Sequence, residues 1–293
     1  YTNIGEANNR GIEMNLEWRD KTESGFEYNV GVNMSTIRNR MTKLNGGTPI
    51  SDGPFRNGSM YLTYTNEGMP IGAFWGYKTD GLIQTQEQLN AVKRADFQPN
   101  AELGDVLFVD TNGDGKLDSS DRCMIGNPIP DIIDGINMGM AWKGFDLNLQ
   151  FGGTIGNQIF NAMRYYTYFP NDITNKDRAL MNYWTPNNTN TDIPRLTATD
   201  VNDNDRFSDM YVENGTYFRL RNAQLGYTLP ASLTQRIKLQ KVRFYVSGQN
   251  LFTISSYSGM DPEVGQSSSL SRGIDYGIYP QNISFTGGIN VTF

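Results

Sequence analysis

The chain has no histidine, a single cysteine and no long apolar run. Without histidine it lacks the commonest general base and the commonest transition-metal ligand. Cys123 has no partner for an internal disulfide and lies in no CxxC, so it reads as a structural thiol. No segment approaches the ~18 apolar residues of a spanning helix, and the mean hydropathy is −0.52. That excludes a helical membrane protein but not a β-barrel, whose strands are only about half apolar. Lys and Arg number 25 against 31 Asp and Glu, a formal charge of −6, and no basic stripe is present to neutralise phosphates, so nucleic acid is not an expected partner. No nucleophile motif accompanies the missing histidine, and the pair Asp203/Asp205 comes without a cleft or a fixed spacing, so the chain does not read as an enzyme. No signal peptide opens it at Tyr1, which is the expectation for a processed chain or for a piece of a longer one.

What the sequence does have is alternation. Side chains in a strand point to opposite faces with period two. Ile12, Met14, Leu16 and Trp18 interleave with Glu13, Asn15, Glu17 and Arg19. The same pattern recurs in Phe26–Ser35, Ile136–Lys143 and Phe145–Gly152. In Tyr217–Leu229 the phase slips near Asn222, which predicts a β-bulge. Val242–Phe252 is a further strand, and Ile283–Phe293 closes the chain with Ile283, Phe285, Ile289, Val291 and Phe293 on one face. The total is about seven strands, each near the ~9–11 residues that cross a bilayer at a tilt.

The connections differ sharply in length. Asp20–Gly25, Lys143–Gly144 and Leu229–Lys241 are short or moderate; Arg38 to about Asp134, Gly156 to about Gly215, and Ser255–Pro280 are long. Short turns at one end and long loops at the other are the layout of a transmembrane antiparallel up-and-down β-barrel. A soluble β-sandwich also alternates, but structureless loops beyond ~15 residues are uncommon in compact domains. In a barrel, lipid meets the apolar face while Glu13, Glu17, Glu27, Lys143, Asp146 and the Asn/Gln set line a wet interior; in a sandwich core those charges would be costly. Seven strands alone leave two unpaired edges, so the chain is expected to pair with strands it does not contain.

The long loops hold two candidate sites. Asp110–Asp121 reads DTNGDGKLDSSD, with oxygens from Asp110, Asn112, Asp114, Asp118 and Asp121, the backbone carbonyl of Lys116, and Gly115 at the sharp turn. The spacing suits Ca2+, although Asp121 stands where an EF-hand has a bidentate Glu and no helix pattern flanks the loop. An Asp/Asn/Gly turn held by side-chain-to-backbone hydrogen bonds has the same composition. In Met163–Phe169 (MRYYTYF) and at Trp184, aromatics gather. Tyr165, Tyr166, Tyr168 and Trp184 are candidates for stacking on a sugar; the competing reading is a small loop core. Short helices are expected at Leu89–Ala95, behind a Thr85/Gln88 capping box, at Asn175–Tyr183 and at Ser232–Ile237.

Five blocks carry a resemblance beyond pattern: GEANNRGIEMNLEW (Gly5–Trp18), MPIGAFWGYKTDGLIQTQEQL (Met69–Leu89), GDVLFVDTNGDGKLDSSDRCMIGNPIPD (Gly104–Asp131), YFRLRNAQLGYTLP (Tyr217–Pro230) and VRFYVSGQNLFTISSYSGMDPEV (Val242–Val264). In order and content they resemble the SusC/RagA family of TonB-dependent outer-membrane transporters. The resemblance implies a 22-stranded barrel preceded by a signal peptide, a small periplasmic domain, a TonB-contacting segment and a plug. Residues 1–293 would then be the C-terminal third of the barrel, in the outer membrane of a Gram-negative cell. It also implies a SusD-like surface lipoprotein as lid, TonB as motor acting through the absent N-terminal region, and oligosaccharide or peptide cargo. Phe293 would be the terminal aromatic read by the barrel-insertion machinery. The alternative that residue pattern leaves open is a soluble, calcium-stiffened β-sandwich that binds carbohydrate.

Overall fold

The computed structural model describes residues 5–169, 175–265 and 268–293. Its frame is one seven-stranded sheet: β1 (Glu13–Lys21), β2 (Glu27–Thr36), β3 (Ile132–Trp142), β4 (Phe145–Ile155), β5 (Tyr217–Thr228), β6 (Lys241–Ser255) and β7 (Ser284–Thr292). Order in space follows order in the chain, every pairing is antiparallel, and β1 and β7 are the two edges. This is the expected up-and-down meander, open rather than closed.

Local sequence explains the short turns. Between β3 and β4, Lys143 (φ 48°) and Gly144 (φ 89°) are both left-handed, as a two-residue hairpin turn matched to strand twist requires. Gly25 (φ 77°) donates its amide to the Thr22 carbonyl at 2.9 Å and turns β1 into β2. Between β5 and β6 the helical turn Ala231–Thr234 runs into the 3-10 turn Gln235–Ile237 and stops at left-handed Lys238. These three connections lie at one end of the sheet and the long ones at the other.

The expected phase slip is a bulge that widens across the sheet. Gln150 faces Asn222 and Phe151 faces Leu220, which leaves Arg221 unmatched on β4. Across β6, Gln249 faces Asn222 and Phe252 faces Leu220, so Asn250 and Leu251 together oppose Arg221. Asn250 absorbs the kink at φ 53°. The added residues keep Leu220 and Phe252 on the apolar face on one side of the bulge and Ala223 on the other.

Register makes the two faces continuous. Trp18, Val30, Met138, Leu149, Ala223, Gly248 and Phe285 form one row; two positions away from the hairpin ends, Leu16, Val32, Ile136, Phe151, Leu220 and Phe252 form another. On the other face run Glu17, Gly31, Asn137, Gln150, Asn222, Gln249 and Ser284. The apolar face is bare: Leu16, Trp18, Val246, Phe285 and Ile289 are 59%, 64%, 60%, 78% and 61% exposed. A contiguous apolar surface of this extent marks an interface with something greasy.

The buried core lies elsewhere, in the long connections. Of the buried hydrophobic residues only Tyr217, Leu220 and Val242 belong to the seven strands. One cluster joins Phe55, Leu62, Phe74, Phe160, Tyr165, Phe207 and Ile274, with Phe160 edge-on to Phe55 and Phe207 at 5.3 and 5.0 Å. Losing one such ring costs about 3–5 kcal/mol. Small sheets support it: Ile50–Phe55, Met60–Thr65, Ala73–Gly76 and Cys123–Gly126 make one, and Gln158–Asn161, Val212–Asn214 and Ile274–Asp275 another. A soluble β-sandwich would put its core against the large sheet. Among the described residues no second sheet covers that face, so the sandwich alternative fails on where the core is.

Two local expectations need adjusting. The first long excursion begins later than Arg38, because Arg38–Leu44 is a strand paired with Gly5–Arg10, extending the β1–β2 hairpin past the sheet. Asn175–Tyr183 contains only the 3-10 helix Arg178–Asn182. The aromatic stretch is helical at Ala162–Tyr168, where the Asn161 side chain accepts from the Arg164 amide. The helix behind Thr85 forms as Gln86–Arg94, with both capping-box bonds present.

Candidate functional site

The polar face is a wall of amides and paired charges. Arg243 on β6 reaches across β5 to Asp146 on β4, with Nε 2.9 Å from Oδ1 and Nη2 2.5 Å from Oδ2, and also donates to Gln224 Oε1 at 3.1 Å. The reach depends on Gly226, where a Cβ would stand 2.3 Å from Nη2. Lys21 pairs with Glu27 at 2.7 Å and Arg19 with Glu17 at 2.6 Å. In hydrocarbon these groups would be costly; facing water they cost little, and the exposed Lys21–Glu27 and Arg19–Glu17 pairs add little stability.

At the long-loop end the third connection is fastened to this wall. Arg219 is 2% exposed; its Nη2 donates to Asp261 Oδ1 at 2.6 Å, Nη1 to Glu263 Oε2 at 2.9 Å and Nε to Thr253 Oγ1 at 2.8 Å. Arg221 donates to Glu263 Oε1 at 3.3 Å and to the Tyr217 hydroxyl at 3.1 Å. Asp261 also accepts the amides of Gln281 and Glu263. Burial alone would raise the Asp261 carboxyl, but those amides and the Arg219 guanidinium hold it below the usual carboxylate range.

The first two long connections lock together through Asp105, which is fully buried. It accepts from Arg195 Nε at 2.7 Å, from Asn204 Nδ2 at 3.1 Å and from the Glu102 amide at 2.8 Å. Asn202 and Gln98 extend the network, bonded to one another at 3.0 Å. The long loops are thus a packed cap, not loose strands of chain.

The cap decides what its aromatics do. Tyr165 is 3% exposed inside the first cluster, accepts from Arg56 at 3.0 Å and donates to the Asp205 carbonyl at 3.1 Å, and burial pushes its phenol up. Trp184 is 6% exposed, donates from Nε1 to Gln84 Oε1 at 2.8 Å, and packs where a Cβ on Gly104 would come within 2.3 Å of its ring. Both rings are packed inside the cap. Tyr166 is half-buried against the same cluster. Tyr168 is half-buried too, with the Arg164 guanidinium 5.1 Å from its ring centre.

In the Asp-rich loop the side chains hold backbone amides. Asp110 accepts from Gly113 and Gly115, Asn112 from Asp114, Asp114 from Lys116, and Asp118 from Ser120. Asp121 is fully buried and accepts from Thr111 at 3.0 Å and Asp118 at 2.9 Å. The amide and hydroxyl of Ser120 hold the Asp118 carboxyl below its ordinary value. Among the described residues no group of three or more His, Cys, Asp or Glu side chains converges to hold a metal. Phe293 follows β7 and is 84% exposed.

Sequence reasoning missed Arg219, Arg221, Asp261 and Glu263. The DPE tripeptide carries no periodicity of its own, and nothing in linear spacing connects it to two arginines some forty residues earlier.

No protein-family model matches the chain. TonB-dependent receptor P3 of Formosa agariphila is 37% identical over 303 residues, covering 99% of this chain and 29% of that protein. TonB-dependent receptor SusC of Bacteroides thetaiotaomicron is 27% identical over 292 residues, covering 99% and 27%. Among solved structures, a RagAB peptide importer in a closed-closed state superposes with a TM-score of 0.75 at 25% identity, covering all of this chain and 30% of that one. The chain therefore spans less than a third of the length of the relatives it matches. Aligned along almost its whole length with receptors of one kind, and folded as they are, the chain belongs to the SusC/RagA family of TonB-dependent receptors, outer-membrane β-barrel proteins of Gram-negative bacteria.

Proposed function

We propose that the chain is the C-terminal portion of a barrel that imports oligomeric nutrients, glycan or peptide, across the outer membrane. The observation that carries this is the division of one meander into a bare apolar face and an ionised, amide-rich face. Lipid covers the first and cargo passes along the second. A SusD-like lipoprotein closes over the packed cap, TonB acts through segments that precede these residues, and the protein performs no covalent chemistry. The names of the relatives, receptors and a peptide importer, support this reading. In the native host, uptake of at least one labelled oligosaccharide or peptide should require the full-length gene and stop when a protonophore collapses the inner-membrane gradient. Gene-dependent uptake that survives the protonophore would rule out a TonB-driven importer.

The Asp110–Asp121 loop is a proposed Ca2+ site that stiffens the cap. A hydrogen bond from a backbone amide occupies only one lone pair of a carboxylate or carboxamide oxygen, so the bonds above leave acceptor capacity on Asp110, Asn112, Asp114 and Asp118, with the Lys116 carbonyl and Asp121 completing the set. Calcium at a hundredfold excess over its dissociation constant should stabilise the full-length protein by about 2.7 kcal/mol, read as a rise in melting temperature that Asp114→Ala abolishes. An equal rise in that variant would remove the metal from this loop.

Phe293 is proposed as the assembly signal. With its ring exposed beyond β7, Phe293→Ala should leave the folded sheet's contacts intact yet lower the rate at which full-length protein reaches the outer membrane. Pulse-chase fractionation checks this; unchanged kinetics would assign the residue no such part. Tyr168, the half-buried ring beside Arg164, is the aromatic best placed to meet a sugar, with Tyr166 next; Tyr165 and Trp184, each buried in its own cluster, would act only by stiffening the cap.

A further inference from the structure

The β1–β2 ladder does not end with the sheet. Pairing lapses at Gly11, Ile12 and Ile37, where the Ile12 amide donates to the Thr36 hydroxyl and the Ile37 amide to the Asp131 carbonyl, but from Arg10 opposite Arg38 to Ala7 opposite Met41 it resumes in the register of Trp18 opposite Val30. The face that carries Trp18, Leu16, Met14 and Ile12 therefore carries Arg10 next, and the face that carries Val30, Val32 and Met34 carries Arg38 and Arg40. Arg10 stands directly opposite Arg38, and Arg40 lies one step further out, opposite Asn8. Three exposed arginines thus crown the apolar face at its long-loop end.

Among the described residues no carboxylate neutralises them: none of the three has one within ion-pair distance. Arg10 Nε donates to Asn8 Oδ1 at 3.1 Å, and the Arg40 guanidinium passes over Gly68. Glu67 lines the same open cleft of about 790 Å3, but its Oε1 accepts the Leu44 amide. Like charges directly opposed on one sheet face are destabilising. In contrast, Arg19 and Lys21 at the opposite rim each have a carboxylate partner.

We infer that Arg10, Arg38 and Arg40 form a site for the phosphate-bearing headgroup of an outer-leaflet lipid. This rests on the outer-membrane reading above. Guanidinium forks suit phosphate oxygens. The lipid, rather than free phosphate, follows from what lies below: Ile12, Leu16 and Trp18, 71%, 59% and 64% exposed, continue the same face where acyl chains would hang from that headgroup. Basic residues at the edge of an apolar band are placed to hold anionic headgroups. Held there, the lipid would screen the repulsion between Arg10 and Arg38 and fix the height of the β1–β2 hairpin in the membrane.

The test uses the full-length protein extracted from outer membranes into detergent, with native mass spectrometry as readout. The probes are phosphatidic acid, diacylglycerol with the same chains, and inorganic phosphate. Wild type should retain phosphatidic acid at about tenfold lower concentration than diacylglycerol. The triple variant Arg10→Gln/Arg38→Gln/Arg40→Gln should lose that preference, while Arg19→Gln keeps it. Should the triple variant fail to assemble, Arg38→Gln alone should narrow the preference. Equal retention of both lipids by wild type, an undiminished preference in the arginine variants, or displacement of the lipid by equimolar inorganic phosphate would each overturn the site. Wild type recovered from a soluble fraction would overturn it together with the barrel reading, a distinct result seen before any lipid is added.

Discussion

Leu149→Arg in the full-length protein should destabilise the membrane-inserted fold by about 2–4 kcal/mol, the cost of a cation on the lipid face near the bilayer midplane. Gln150→Arg, one residue further along β4, should stay within roughly 0.5 kcal/mol. Leu149 sits in the row of Val30, Met138 and Ala223, with hydrocarbon outside it. Gln150 sits among Asn137, Asn222 and Gln249 on the wet side. Denaturant unfolding of both variants from bilayers measures the contrast. Two equal costs, or a larger one at Gln150, would mean that the greasy face does not meet lipid.

Arg219→Ala should cost about 3–5 kcal/mol, because it strands a buried charge. Asp261, 4% exposed, would keep two amide donors and lose its cation, and Glu263 would lose its shorter partner. The connection 256–283 should then lift from the wall, seen as a lower melting temperature and as new protease cleavage within that stretch. Adding Asp261→Asn to the Arg219→Ala protein removes the stranded charge and should recover part of the loss. An Arg219→Ala protein that melts and resists protease like wild type would show that the ion pairs do not hold the loop.

The seven strands were legible because each has a face to bury and a face to wet, and period-two alternation is the direct signature of that requirement. The slip near Asn222 could be read for the same reason: an inserted residue exchanges the faces, and only a bulge restores them. The Thr85/Gln88 box announced a helix through donors and acceptors three residues apart. The cap was not legible in this way. Phe55, Phe160, Phe207 and Ile274 are spread over all three long connections and meet only when the strands bring those connections together.

The aromatic stretch Met163–Phe169 shows where linear reading ends. Composition is the same for a ligand platform and for a small core, and it does not record that the Tyr165 ring packs against Phe55 and Tyr211. Arg219 is similar, one polar residue among others until the chain folds Asp261 and Glu263 onto it.

By itself the sequence determined the seven strands of the main sheet, which of their faces is apolar and which polar, and which end bears the long loops. All three depend on contacts between chain neighbours or on how each residue type partitions between water and hydrocarbon. The ion-paired anchor of the third loop, the joint core of the cap and the arginine crown above β1 and β2 were decided by tertiary structure. They join residues tens to hundreds of positions apart, and no local period records which distant groups the register will set side by side.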